Sequence, residues 1–203
     1  MGHPHGLRED KMMGRIPEAI ADTLVAEVES RTEWDEAPAL YTFYVESGRC
    51  RLAQIPLPEM VWSLAAPPAV LASFADAGLD EAVTLQAVAP PGLYGAPFRC
   101  EAWEVDGGKP GTEQRRQALA DSKARRLNTR ADRVEIRSIY GVDRGGVTCA
   151  VAQRRGEADV RCSIAYPKPG HGFAGTIPNA LDRLVTAFLG VSMPARKGIG
   201  VDD

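Results

Sequence analysis

The chain has 203 residues, 44% of them hydrophobic and 25% charged, with a formal net charge of −3. These totals suit one globular domain with a sizeable core. The slight acidity excludes a wholesale binder of nucleic acid or anionic membrane, and no stretch reaches the roughly 20 apolar residues of a membrane helix. The opening MGHPHGLREDKMMGR has no apolar signal-peptide core, so a cytoplasmic, non-membrane protein is expected. Arginine outnumbers lysine 19 to 5 within the 24 Lys+Arg, a coding bias that points to a bacterial or phage source. The expected organisation is a flexible extension over 1–13, a single α+β domain over 14–191 and a flexible tail over 192–203.

In chain order, residues 14–30 predict a helix: Ile16, Ile20, Leu24 and Val28 recur at helical spacing, and Pro17 suits a first turn. Glu27, Glu29, Glu33, Asp35 and Glu36 then predict a solvated acidic linker. Residues 39–56 read as a hairpin turning at Glu46-Ser47-Gly48. A helical turn over 58–64 and a helix over 67–79 follow, the latter closing on Gly78 as a left-handed cap. Residues 82–88 and 97–105 read as strands, joined by a loop bearing Tyr94.

Residues 106–132 form a basic insert without a clean apolar stripe. Between 113 and 133 lie seven cations and three carboxylates, which predicts a basic loop or a loosely docked helix. If it binds nucleic acid, Arg115, Arg116, Lys123, Arg125, Arg126 and Arg130 are the contacts, giving salt-dependent, sequence-independent affinity. The aromatics that would mark single-strand binding are missing from this stretch.

The stretch 131–167 reads as a three-stranded antiparallel meander. Val134, Ile136, Tyr140 and Val142 alternate with Glu135, Arg137 and Asp143, as in a half-buried strand. Asp143-Arg144-Gly145-Gly146 and Arg154-Arg155-Gly156-Glu157 supply the turns. Val147, Cys149 and Val151, then Val160, Cys162, Ile164 and Tyr166, continue the apolar row, and the charged row is expected to be solvated. The last helix, 176–189, has one broad apolar face and a Gly190 cap. Its opening Gly175-Thr176-Ile177-Pro178 echoes Gly14-Arg15-Ile16-Pro17. The fold expectation is an antiparallel sheet of about seven strands, covered on one face by the first and last helices and the middle helix.

The chemistry is sparse. Gly170-His171-Gly172-Phe173-Ala174-Gly175 matches G-x-G-x-x-G, but only a short tail follows the helix, where a dinucleotide fold needs a second parallel strand and an acidic residue. A weaker reading remains: anion binding at the helix N-terminus by Lys168, His171, Gly172 and Gly175. There is no G-x-S-x-G, His171 is the one histidine beyond the N-terminal segment, and no metal-ligand set or cofactor motif is recognisable. Cys50, Cys100, Cys149 and Cys162 have no zinc spacing and read as buried, reduced thiols; the turn at 154–157 permits a sharper reading in which Cys149 lies opposite Cys162 as a cross-strand pair. The function expected from these features is a non-enzymatic protein-interaction or assembly module, acting on a partner protein or on itself. The alternative is a nucleic-acid or anion-binding accessory protein.

Overall fold

A computed structural model of the protein describes residues 16–46, 49–124, 126–167, 173 and 175–193. One antiparallel sheet has the strand order β2-β1-β3-β4-β5-β6. Its strands are β1 (Ala39–Glu46), β2 (Arg49–Gln54), β3 (Leu93–Val105), β4 (Arg133–Asp143), β5 (Thr148–Arg154) and β6 (Val160–Ala165). The helices are α1 (Ile16–Glu29), α2 (Pro67–Asp80), α3 (Ala82–Val88), α4 (Glu113–Lys123) and α5 (Thr176–Leu189). Short 3-10 turns lie at Glu59–Ser63 and Leu127–Thr129. The expected class, α+β around an antiparallel sheet, is the one that forms.

The helices cover both faces rather than one. On one side Ile20, Leu24 and Val28 of α1 pack on Tyr41, Phe43, Ile139, Cys149 and Val151. On the other, Leu181, Leu184 and Val185 of α5 join Leu71 and Ala75 of α2 over Leu40, Phe98 and Val142. Adjacent Leu40 and Tyr41 therefore serve opposite cores, as strand alternation requires. The like-sounding entries of the first and last helices do not place them together. Helix α1 touches both outer strands, β2 and β6, so the sheet curls around it.

This two-sided cover changes the meander. Its turns form as expected, with Gly146 and Gly156 at φ +80° and +86°, and the Asp143 Oδ1 accepting from the Gly145 and Val147 N–H groups. But the register sets Ile139 opposite Val151 and Gly141 opposite Cys149. The apolar row of β5 and β6 thus continues the odd-numbered row of β4, the one expected to be solvated, and faces α1. Arg137, in that row, has no exposed surface.

Residues 82–88 are a helix, not a strand, which accounts for six strands among the described residues in place of about seven. A single residue, Glu81, separates α2 from α3, and its N–H bonds to Ala77 O and Leu79 O, carrying the helical path through. Gln86 Nε2 then donates to Ala187 O of α5. Gly78 is not a cap: α2 runs past it to Asp80, and a Cβ there would lie 3.5 Å from Leu184. The Gly190 cap forms as expected, at φ +65°. The Tyr94 loop is absorbed into β3, which begins at Leu93.

Candidate functional site

The 30–38 linker is bound into the fold rather than solvated. Arg137 donates to Arg31 O, Glu33 O and the Glu101 carboxylate. Arg99, also buried, reaches the Glu36 carboxylate at 2.8 Å and donates to Tyr41 Oη and Ala37 O. Tyr41 Oη in turn donates to Glu27. The guanidiniums of Arg137 and Arg155 both lie over the Trp34 ring, at 4.7 and 5.4 Å from its centre. Three carboxylates, Asp35, Glu101 and Glu135, converge beside this cluster. Each already has a guanidinium partner: Arg137 for Glu101, and Arg155 for the other two. The arrangement is a buried ionic clamp on the linker.

The basic insert contains a helix, α4, with an electrostatic rather than an apolar anchor. Thr112 Oγ1 caps it by accepting from the Arg115 N–H, as an N-cap threonine does. Of its side chains only Ala118 and Asp121 are buried. Asp121 accepts from Gln117, Arg126 and Arg130. The Gln117 amide first, and then the two guanidiniums, hold its carboxyl below the usual range. Arg130 also pairs with Asp132, and Arg116 with Glu113. Three of the six candidate phosphate contacts are thus engaged with carboxylates. Arg115 and Lys123 are exposed, and Arg125 lies outside the described residues.

The insert also walls a groove. Leu127 and Asn128 of the 3-10 turn, with Ser122 of α4, stand beside Ala102 and Tyr140 of the sheet, Pro68 and Ala69 of α2, and Ile177 and Pro178 of α5. The space has a volume of about 590 Å³, in the range of small-ligand and side-chain pockets. Ala102 and Trp103 of β3 and Tyr140 of β4 form its sheet side, and the first residues of α5 border it. On β5 and β6 the same face carries Thr148, Ala150 and Ala152, paired with Ala165, Ser163 and Arg161. Phe173 stands edge-on to Tyr140, ring centres 6.5 Å apart.

Gly175 sits at the groove's edge as the N-cap of α5 with φ +134°, a conformation that L side chains rarely adopt. Of the proposed anion site it alone is described; Lys168, His171 and Gly172 are not. Sequence reasoning missed the groove, because Ala69, Ala102 and Ile177 carry no chemical signature and Tyr140 read as packing.

The thiols divide by position. Cys100 and Cys149 are buried as expected, but Cys50 is only half-buried and Cys162 is exposed. Burial pushes the Cys100 thiol up to about 11 and raises that of Cys50, the opposite of what activates a nucleophilic cysteine. All three histidines lie outside the described residues. No protein family, curated protein or solved structure matches the chain.

Proposed function

We propose that the protein is a non-enzymatic interaction module that takes an apolar segment of a partner protein into the groove beside the start of α5. The observation that carries this reading is the contrast between the groove and its surroundings. Its walls combine Ala, Pro, Leu, Ile, Tyr and Trp side chains with the uncharged polar Ser122, Asn128 and Thr176, while most neighbouring charges are paired with one another. An apolar insert gains burial there without desolvating an unpaired ion. Polar main-chain groups of the partner have the open start of α5 nearby, where the first N–H groups of a helix lack intrahelical acceptors.

A different chain, rather than a second copy, is the favoured occupant of the module. The outer strands that two copies would pair carry Arg49 and Arg51 on β2 and Arg161 on β6. Charges of this kind discourage edge-to-edge association.

A photo-crosslinking residue placed at Ala69 and, separately, at Val83, an exposed residue of α3 that does not line the groove, tests the reading in cells of the source organism. The expected result is one adduct of defined mass from position 69, absent when Ala102→Arg is added, and none from position 83. Equal labelling from both positions, or none from either, defeats the proposal.

Nucleic-acid binding through α4 is the second reading, and it rests on exposed Arg115 and Lys123.

A further inference from the structure

Cys149 and Cys162 lie on adjacent strands, and their sulfurs are 3.8 Å apart. They are not directly opposed: Cys149 faces Ile164 and Cys162 faces Val151. They form a diagonal pair instead, on the side of the sheet that α1 covers. Cys149 is 2% exposed, whereas Cys162 stands open on the outer strand. One sulfur of the pair is thus reachable by a solute and the other is held against it from beneath. The remaining thiols are placed differently: Cys100 meets the Ser138 hydroxyl, and Cys50 meets Thr23.

We propose that Cys149 and Cys162 are an oxidation site: hydrogen peroxide couples them into a disulfide that ties β6 to β5. Bond formation requires the sulfurs to come about 1.8 Å closer, from 3.8 Å to the covalent separation. Rotation of the Cys162 side chain, with a small shift of a strand that has only one neighbour, supplies that movement.

The chemistry runs in two balanced steps. The Cys162 thiolate attacks one peroxide oxygen, the O–O bond breaks, and the departing hydroxide takes up the thiol's proton to leave as water. Cys162 is then a sulfenic acid. The Cys149 sulfur attacks the Cys162 sulfur, the S–O bond breaks, and the departing hydroxide takes the Cys149 proton and also leaves as water. Two thiols and one peroxide give one disulfide and two waters. Cys162 is open to a solute and Cys149 is buried beneath it, so Cys162 is the residue that reacts first and Cys149 the one that resolves it; burial, and then the neighbouring Cys162, also raise the Cys149 thiol.

The test uses the full chain, reduced, desalted and exposed to hydrogen peroxide, then alkylated and digested with trypsin without reduction. Arg154, Arg155 and Arg161 separate the two cysteines in sequence, so the bond appears as two joined peptides. The expected result is that joined pair, with Cys50 and Cys100 still alkylated. In Cys149→Ser, Cys162 should accumulate as a sulfenic acid that dimedone traps at least severalfold more than in the parent. Cys162→Ser, a change at an exposed position, should leave Cys149 alkylated. Cys162 driven to sulfinic or sulfonic acid beside an alkylated Cys149, equal dimedone trapping in parent and Cys149→Ser, or a bond between two chains would each overturn the assignment.

Discussion

Arg137 and Glu101 stand directly opposite each other on β4 and β3, and their side chains meet at 3.1 Å where the guanidinium has no exposed surface. The pair fixes the linker before β1, because the same guanidinium holds the carbonyls of Arg31 and Glu33. Removing one partner of a buried pair leaves the other charge without compensation. Arg137→Ala is therefore expected to cost about 3–5 kcal/mol in urea unfolding. Arg137→Lys should recover only part of that, since an ammonium lacks the planar fork that reaches several acceptors at once. A loss below about 1 kcal/mol, the range of exposed pairs, would show that the clamp is not structural.

A second ionic cluster predicts a pH dependence. Glu104 accepts from Arg154 at 2.9 Å and from Arg161 at 2.7 Å, tying β3 to β5 and β6 across β4. Partial burial pushes its carboxyl up, but the two guanidiniums outweigh burial and hold it below the usual range. A carboxyl depressed in the folded state stabilises the fold above its unfolded pKa, and that contribution disappears as pH falls through the folded value. Glu104→Gln should therefore be less stable than the parent at about pH 6, with the gap closing as pH drops below about 4. Chemical denaturation of both proteins across that range measures it; a gap that widens in acid contradicts the assignment.

Gly141 predicts a steric effect. A Cβ at this position would lie 2.6 Å from the Phe43 ring and 3.2 Å from Leu24, both fully buried. The strand at this point needs no positive φ, so the constraint is space beneath α1. Gly141→Ala should destabilise by about 1–3 kcal/mol, the cost of overpacking a filled core. Adding Phe43→Leu should return part of it. If the two changes add independently in thermal unfolding, the ring is not what excludes the methyl group.

The nucleic-acid reading has a direct measurement. Arg116, Arg126 and Arg130 are already paired with Glu113, Asp121 and Asp132, which leaves few free cations to displace counterions. Fluorescence anisotropy with a labelled duplex in about 50 mM salt is expected to show no binding at micromolar protein, where even non-specific binders associate. A complex that forms there and weakens in Arg115→Ala with Lys123→Ala would replace the preferred function with the alternative.

Parts of this architecture were legible from residue pattern alone. The β4–β6 meander follows period-two alternation with glycines in its turns, and α1 and α5 follow helical spacing. These signals are local, and a short stretch of chain carries them. Residues 82–88 show where local pattern fails. Their apolar content fits a strand, but α2 leads into them through one residue and α5 offers Gln86 a carbonyl acceptor, so the helix prevails. The groove was invisible for another reason: alanines, a proline and an isoleucine from distant segments mean nothing until they share a wall.

The sequence by itself determined that this is an α+β domain on an antiparallel sheet, since strand and helix periodicities are properties of neighbouring residues. Only tertiary structure decided which face each row serves. Alternation states that two rows oppose each other but not what covers either. Here α1 lies on one face and α5 on the other, so Arg137, which reads as a solvated charge in its strand, becomes the fully buried centre of an ionic clamp. Cross-strand register likewise brought Cys149 and Cys162 together on the diagonal, a relation that spacing along the chain leaves open.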